Sequence, residues 1–226
     1  MTDRAESFCL ASADLPIYGS RQMKIYVFGR TADDPDVAAL VHRRPGAGPS
    51  DEATVRLHSV CLTGDVFGSA KCDCGAQLRL AIDAISAADF GIVLYLMRHE
   101  GRGIGLVNKI RAYALQDGGL DTVESNRALG FAPDLRDFSS AAEALRELGV
   151  SKIRMLTNNP DKVAQIERNG IEVIERVTLD APMTEHNRDY LDTKRRFFGH
   201  MPARDPATEG VTPHDFAELF GRWKSG

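Results

Sequence analysis

Cys61, Cys72 and Cys74 fall within one stretch, "HSVCLTGDVFGSAKCDCG" (58–75), while Cys9 stands apart near the start of the chain. Thiolates suit zinc, and three protein ligands leave a fourth position for water, which is how a catalytic rather than a closed structural site is built. Two other readings fit the same spacing. One is a structural Cys3His site completed by His58 or another histidine, and the other is a set of buried free thiols. Cys72 and Cys74 form a C-x-C pair, which does not match the C-x-x-C of thioredoxin-like redox chemistry. Neither half of the zinc deaminase signature, His-x-Glu and Pro-Cys-x-x-Cys, occurs around these cysteines.

A second stretch, "HEGRGIGLVNK" (99–109), is rich in glycine and followed by a predicted helix. Its glycines fit neither G-x-x-x-x-G-K-[ST] nor G-x-G-x-x-G. Close backbone approach and a helix N-terminus with Arg98, Arg102, Lys109 and Arg111 nearby could still hold several phosphate charges. A tight strand-to-helix turn with solvated basic residues is the other reading.

These residues need a scaffold. "RQMKIYVFG" and "DVAALVHRR" are predicted strands, "PGAGPSDEA" is a loop, and "TVRLHSVCL" is a third strand that Cys61 ends. From Gly75 the apolar positions Leu78, Ala81, Ile82 and Ile85 recur at helical spacing, and "FGIVLYLM" has the length of a buried strand. "LVNKIRAYALQDGG" is a predicted helix stopped by Gly118 and Gly119, and "DFSSAAEALRELGV" another with a serine as candidate N-cap. "SKIRMLTNNP", "DKVAQIERNG" and "IEVIERV" then read as strand, helix and strand. The alternation from 75 to about 178 predicts an α/β class: a layered α/β/α architecture with a mixed sheet, its N-terminal strands preceding the alternating core. Ligands of such sheets gather at the carboxyl ends of strands, where the loops beginning at Arg98 and Thr157 fall. Residues 1–200 are expected to form one catalytic domain. Residues 201–226, with the short amphipathic piece "PHDFAELFGRW", are an appendage.

The 28 basic and 32 acidic side chains nearly balance, with a net charge of −4, so no global field draws the chain to nucleic acid or a lipid surface. An anionic ligand must be held by a local cluster. No apolar run is long enough to span a bilayer, "MTDRAESFCLASADLP" lacks a signal-peptide core, and a cytoplasmic location is expected.

Together, "VRLHSVCLTGDVFGSAKCDCGAQL", "RHEGRGIGLVNKIRAYALQDGGLDTVESN", "LGFAPDLRDF", "GVSKIRMLTNNPDKV" and "YLDTKRRFFGH" resemble the GTP cyclohydrolase II family, with weaker echoes in "LPIYG". The resemblance covers most of 54–200. It implies hydrolytic opening of the guanine imidazole ring of GTP with release of formate and pyrophosphate, at the start of riboflavin synthesis. It implies one Zn2+ per subunit on Cys61, Cys72 and Cys74, activating water for attack on C8, Mg2+ on the triphosphate, and a homodimer. At 226 residues, with the resemblance beginning close to the N-terminus, no room is expected for the synthase domain fused to some members. Tyr113 matches the tyrosine placed near the ring-opening chemistry. Read from its own spacing, it is equally a core aromatic. Arg136 falls at the position assigned as nucleophile towards the α-phosphorus, with Asp134 as proton acceptor. From its chemistry an arginine is a clamp for phosphate charge, because its pKa stays above about 12. Arg56, Leu57, His58, Ser59, Gln77, Glu100, Gly101, Arg102, Thr122, Thr157 and Lys162 are implied to contact the nucleotide, with Glu100 and Gln77 suited to the donor edge of guanine and Arg102 and Lys162 to phosphate.

Three positions depart from the family pattern. Val60 stands where glutamate is usual, "SAK" precedes Cys72 in place of Leu-Arg or Arg-Arg, and Thr178 replaces a proline. Val60 removes a charge and a hydrogen-bond acceptor beside Cys61. It leaves open a paralogue with an altered purine nucleotide substrate, or one that stops at a formylated intermediate. A non-catalytic zinc or nucleotide-binding module is the remaining alternative, and it requires a fourth protein ligand to the metal.

Overall fold

The computed structural model describes residues 8–17, 21–47 and 50–179; "YLDTKRRFFGH", "PHDFAELFGRW" and the boundary at 200 lie outside the described residues. Strands β1 (Cys9–Ile17), β2 (Arg21–Phe28) and β3 (Val37–Arg43) form an antiparallel meander. Strand β4 (Glu52–Ser59) and strand β5 (Phe90–Leu96) follow, with β5 antiparallel to β3 and parallel to β4. Strands β6 (Lys152–Leu156) and β7 (Glu172–Val177) extend the parallel half. The order in the seven-stranded sheet is β1-β2-β3-β5-β4-β6-β7, the mixed α/β fold expected.

Helices α1 (Leu62–Asp65), α2 (Cys74–Ala87), α3 (Gly105–Asp117), α4 (Thr122–Ala128), α5 (Ser139–Glu147) and α6 (Pro160–Arg168) fill the crossovers, with a 3-10 turn at Glu100–Gly103. Side-chain alternation along β5 assigns the layers. Ile92, Leu94 and Leu96 share a core with Ala141, Ala142 and Leu145 of α5 and Ile166 of α6, while Val93 packs with Leu80, Ala81 and Ile85 of α2. Among the described residues no helix is long and apolar enough to cross a membrane.

Three local expectations change. β1 was not readable as a strand, because all its residues between the two ends are exposed and no apolar face marks it. β4 stops at Ser59, and Cys61 occupies the N-cap position of α1 instead of ending the strand. In α5 the N-cap position is Phe138, not a serine, and Asp137 accepts the Ser139 amide and hydroxyl from just before it.

Candidate active site

The carboxyl ends of β4, β5 and β6 open into one cavity, and the three cysteines sit in its wall. Their sulfurs all lie within 4.8 Å of one another, and those of Cys61 and Cys72 are 3.7 Å apart. Two thiolates at ~2.3 Å from a tetrahedral zinc would be about 3.8 Å apart, so the donor set and its spacing fit that ion. Among the described residues no fourth His, Cys, Asp or Glu joins the group. Two glycines make room for it. A Cβ on Gly64 would lie 2.7 Å from Cys72 Sγ and 3.1 Å from Cys61 Sγ, and one on Gly75 would lie 2.2 Å from the Gly64 carbonyl oxygen. α1 and α2 therefore meet glycine to glycine, which lets the cysteines converge.

The thiols share their protons unequally. Hydrogen bonds from Cys72 and Cys74, helped by the Lys109 ammonium, hold Cys61 far below the ordinary thiol range. The same contact with Cys61 pushes Cys72 up to about 11. The direction favours a thiolate at Cys61, the form in which a cysteine ligates a metal.

Buried polar chains fix the cluster. The parallel register sets His58 opposite Tyr95, their rings stack with centroids 5.5 Å apart, and both reach the carboxylate of Asp65. Asp65 also accepts the Cys61 amide at 3.0 Å. A carboxylate only accepts, so His58 donates through Nε2; its buried Nδ1 has no partner among the described residues and remains an acceptor. On the other side Arg56 donates to the Leu156 carbonyl and to Gln77 Oε1, and Gln77 donates to Asp73, the residue between the two paired cysteines. Lys109 donates to Cys61 Sγ at 3.1 Å and to Glu100 Oε1 at 2.7 Å. Tyr113 reaches Thr63 Oγ1 at 3.4 Å, and Thr63 in turn lies 3.6 Å from Cys61 Sγ. Burial raises the phenol's pKa, so Tyr113 stays protonated and able to donate at neutral pH.

Another part of the lining is cationic. Arg136 is gripped by Asp134 through Nε at 2.8 Å and through Nη2, and its Nη1 donates to Ser59 Oγ at 3.3 Å. Although burial opposes its charge, the Arg136 guanidinium holds the Asp134 carboxyl below its usual range. The Ser59 hydroxyl is placed to donate to His99 Nδ1, and His99 Nε2 donates to the Asp137 carbonyl. Lys162 reaches in from α6 and donates to the Leu57 carbonyl at 3.0 Å. Arg102 has a φ of 63°, a left-handed conformation that costs roughly 1 kcal/mol or more for a residue with a Cβ and is held here by its neighbours.

Of the residues expected at the site, the structure brings to this cavity Arg56, His58, Ser59, Cys61, Cys72, Cys74, Gln77, Glu100, Gly101, Arg102, Tyr113, Thr122, Arg136, Thr157 and Lys162. The Leu57 side chain is wholly buried in the core, and its carbonyl accepts from Lys162 of the cavity lining. Asp134 lies behind Arg136 without lining the cavity. Arg98 pairs with Asp34 and Asp36, and Arg111 with Asn108, so neither joins the basic wall. His99, Asn126, Asn158 and Asn159 also line the cavity, and Asp65, Asp73 and Tyr95 support it. The "NN" of "LTNNP", placed after a strand, was the available signal for the last pair of asparagines. Apart from the nearby Cys61 amide, the partners of Asp65 come from β4 and β5, so its role carries little local signal.

Burial pushes the His99 pKa down to about 4 from 6.5. In the unfolded chain His99 takes up its proton near 6.5, so between there and about 4 the unfolded state binds more protons and stability falls as pH falls. The shift corresponds to roughly 3 kcal/mol at the acid end. His99→Gln is expected to remove that part of the slope in urea unfolding at a series of pH values. An identical slope would exclude His99 as its source.

Comparison with known proteins agrees with this geometry. The sequence profile of GTP cyclohydrolase II matches residues 9–178. The riboflavin biosynthesis protein RibBA of Bacillus subtilis (strain 168) is 49% identical over 178 residues, covering 79% of this chain and 44% of that protein. The RibBA of Bacillus cytotoxicus is 54% identical over 174 residues, 77% of this chain and 43% of its own length. GTP cyclohydrolase-2 of Azospirillum brasilense is 47% identical over 192 residues, 85% of this chain and 49% of its own. The matched region thus spans less than half the length of these relatives. With the profile covering three quarters of its residues, and the three cysteines, the basic wall and the strand-end loops within the match, this chain belongs to the GTP cyclohydrolase II family.

Proposed function

We propose that this protein hydrolyses GTP at C8 of the guanine ring, releasing formate and pyrophosphate and leaving a ribosylaminopyrimidinone 5'-phosphate, the first step of riboflavin synthesis. The observation that carries this reading is the placement of a three-thiol site and a cationic wall in one cavity. Zinc on Cys61, Cys72 and Cys74 would supply the Lewis acid that makes hydroxide available at neutral pH. Glu100 and Gln77 read the donor edge of guanine, and both are pre-oriented, by Lys109 and by Arg56 and Asp73. Tyr113 donates a hydrogen bond where oxyanion character develops. Arg136, Arg102 and Lys162 hold the triphosphate, shared with Mg2+. In this reading Arg136 clamps the α-phosphate and Asp134 orients it. A guanidinium has no lone pair for attack, and a carboxyl whose pKa lies below the usual range is a weak base. The same reading takes 1–200 as the catalytic domain, 201–226 as an appendage, and the protein as a cytoplasmic homodimer.

The test is to incubate the zinc-loaded chain with GTP and Mg2+ and follow formate, pyrophosphate and the ultraviolet spectrum of the pyrimidine. Formate and pyrophosphate in equal amounts are expected. Pyrophosphate without formate would reject the complete reaction, and no turnover of any purine nucleotide would favour a binding module.

Val60 supports one variant of this reading, a paralogue with altered nucleotide preference, since it lines the cavity beside Cys61 with no polar atom on its side chain. Val60→Glu is expected to raise kcat/KM for GTP. An unchanged or lower value would show that the valine is not what limits turnover.

A further inference from the structure

Lys109 lies in a helix with solvent on one side, yet it is only 7% exposed and shares the buried face of α3 with Ala112. A buried ammonium is costly unless its donors are met by charged acceptors. Here they are: Nζ lies 3.1 Å from Cys61 Sγ and 2.7 Å from Glu100 Oε1. Glu100 closes the circuit, because its Oε2 accepts the amide of Leu62, the residue that follows Cys61, at 2.8 Å. The turn is shaped around the lysine stem as well. Gly101 has a φ of 60°, and a Cβ there would come within 3.0 Å of Lys109 Cβ. The sequence places Lys109 among basic residues suited to phosphate, whereas the fold joins it to a metal-site sulfur and a carboxylate.

We propose that Lys109 is a positioning residue that couples the metal centre to the base-reading carboxylate, holding Cys61 Sγ and Glu100 at a fixed separation while its charge offsets part of theirs. The assignment of Glu100 to the base rests on the ring-opening reading above. The contact with Cys61 does not.

The experiment uses the full chain loaded with Co2+, whose sulfur-to-cobalt charge-transfer absorption reports the thiolates directly, alongside GTP kinetics of the zinc form. Lys109→Met is expected to move that band to longer wavelength, since a thiolate that loses a hydrogen bond and a neighbouring cation gives up its electron more easily. It should also lower kcat/KM for GTP by roughly tenfold to a hundredfold, as loss of a charge-assisted hydrogen bond does. Lys109→Arg, which keeps donor and charge, should restore the band towards its original position. Glu100→Gln leaves the lysine in place with a weaker competitor, so its band should move to shorter wavelength; this variant decides the matter if Lys109→Met does not fold. A folded Lys109→Met with an unmoved band and only a raised KM would overturn the proposal and return Lys109 to the phosphates. An unmoved band in Glu100→Gln would overturn the coupling. A shifted band in a protein that never turns over GTP would uphold the sulfur contact and reject the activity, so the two failures are separable.

Discussion

Gly64→Ala is expected to weaken metal binding at the three-cysteine site while leaving the sheet folded. The added methyl would stand 2.7 Å from Cys72 Sγ, 3.1 Å from Cys61 Sγ and 3.1 Å from Cys74 Cβ, closer than these atoms can approach without moving. Rotating either thiol away relieves the contact, but it also takes a sulfur out of a cluster whose members now lie within 4.8 Å of one another. The short helix α1 cannot retreat easily. Asp65 at its end is tied to His58, Tyr95 and the Cys61 amide, and the Leu62 amide is tied to Glu100. Zinc affinity, measured by competition with a chromophoric chelator, should fall by roughly a hundredfold, and formate release should fall with it. Gly75→Ala makes the informative contrast. Its methyl would meet the Gly64 carbonyl oxygen at 2.2 Å, a backbone atom, so α1 and α2 must separate and the thermal midpoint should drop as well. Full zinc occupancy in Gly64→Ala, with unchanged affinity, would show that the cradle has more slack than these distances allow.

What the sequence made legible and what it hid divide along a physical line. The three cysteines, the Gly-rich turn and the strand-end loops could be read because short spacings and local periodicity carry them, and the parallel half of the sheet follows from alternating helix and strand. Strand β1 was hidden because its face pattern is nearly all exposed, so hydrophobic alternation had nothing to register. Helix α4 was hidden for a related reason. It has seven residues, too few to show an apolar stripe, so the Asp121 and Glu124 capping box was the one local mark of its start. Partners were the least legible. Lys109 and Arg111 look alike among basic neighbours, but the helical period turns one onto Cys61 and leaves the other exposed beside Asn108. Asp65 became visible only when the register of β4 with β5 placed His58 and Tyr95 side by side above it.

Arg136→Lys is expected to be nearly as damaging as Arg136→Ala, and that equality carries the argument about its role. The guanidinium is held by its fork: Nε and Nη2 take the two oxygens of Asp134, and Nη1 takes Ser59 Oγ, which connects it to His99. An ammonium keeps the charge but cannot satisfy those three directions while keeping further in-plane N–H groups, one on each Nη, for phosphate. Either substitution should lower kcat by roughly a hundredfold to a thousandfold, the cost of removing a preorganised donor from developing negative charge. The larger part of the loss should fall in kcat and not in KM, because the clamp works hardest in the transition state. Asp134→Asn tests the companion role. If Asp134 orients Arg136, the neutral amide should cost less than loss of the arginine and leave the acid limb of the pH–rate profile where it was. If Asp134 accepts a proton, that limb should disappear. A phosphoryl or nucleotidyl group found on Arg136 by mass spectrometry after rapid quench would overturn the clamp, whereas quenched protein of unchanged mass together with the expected rates would establish it.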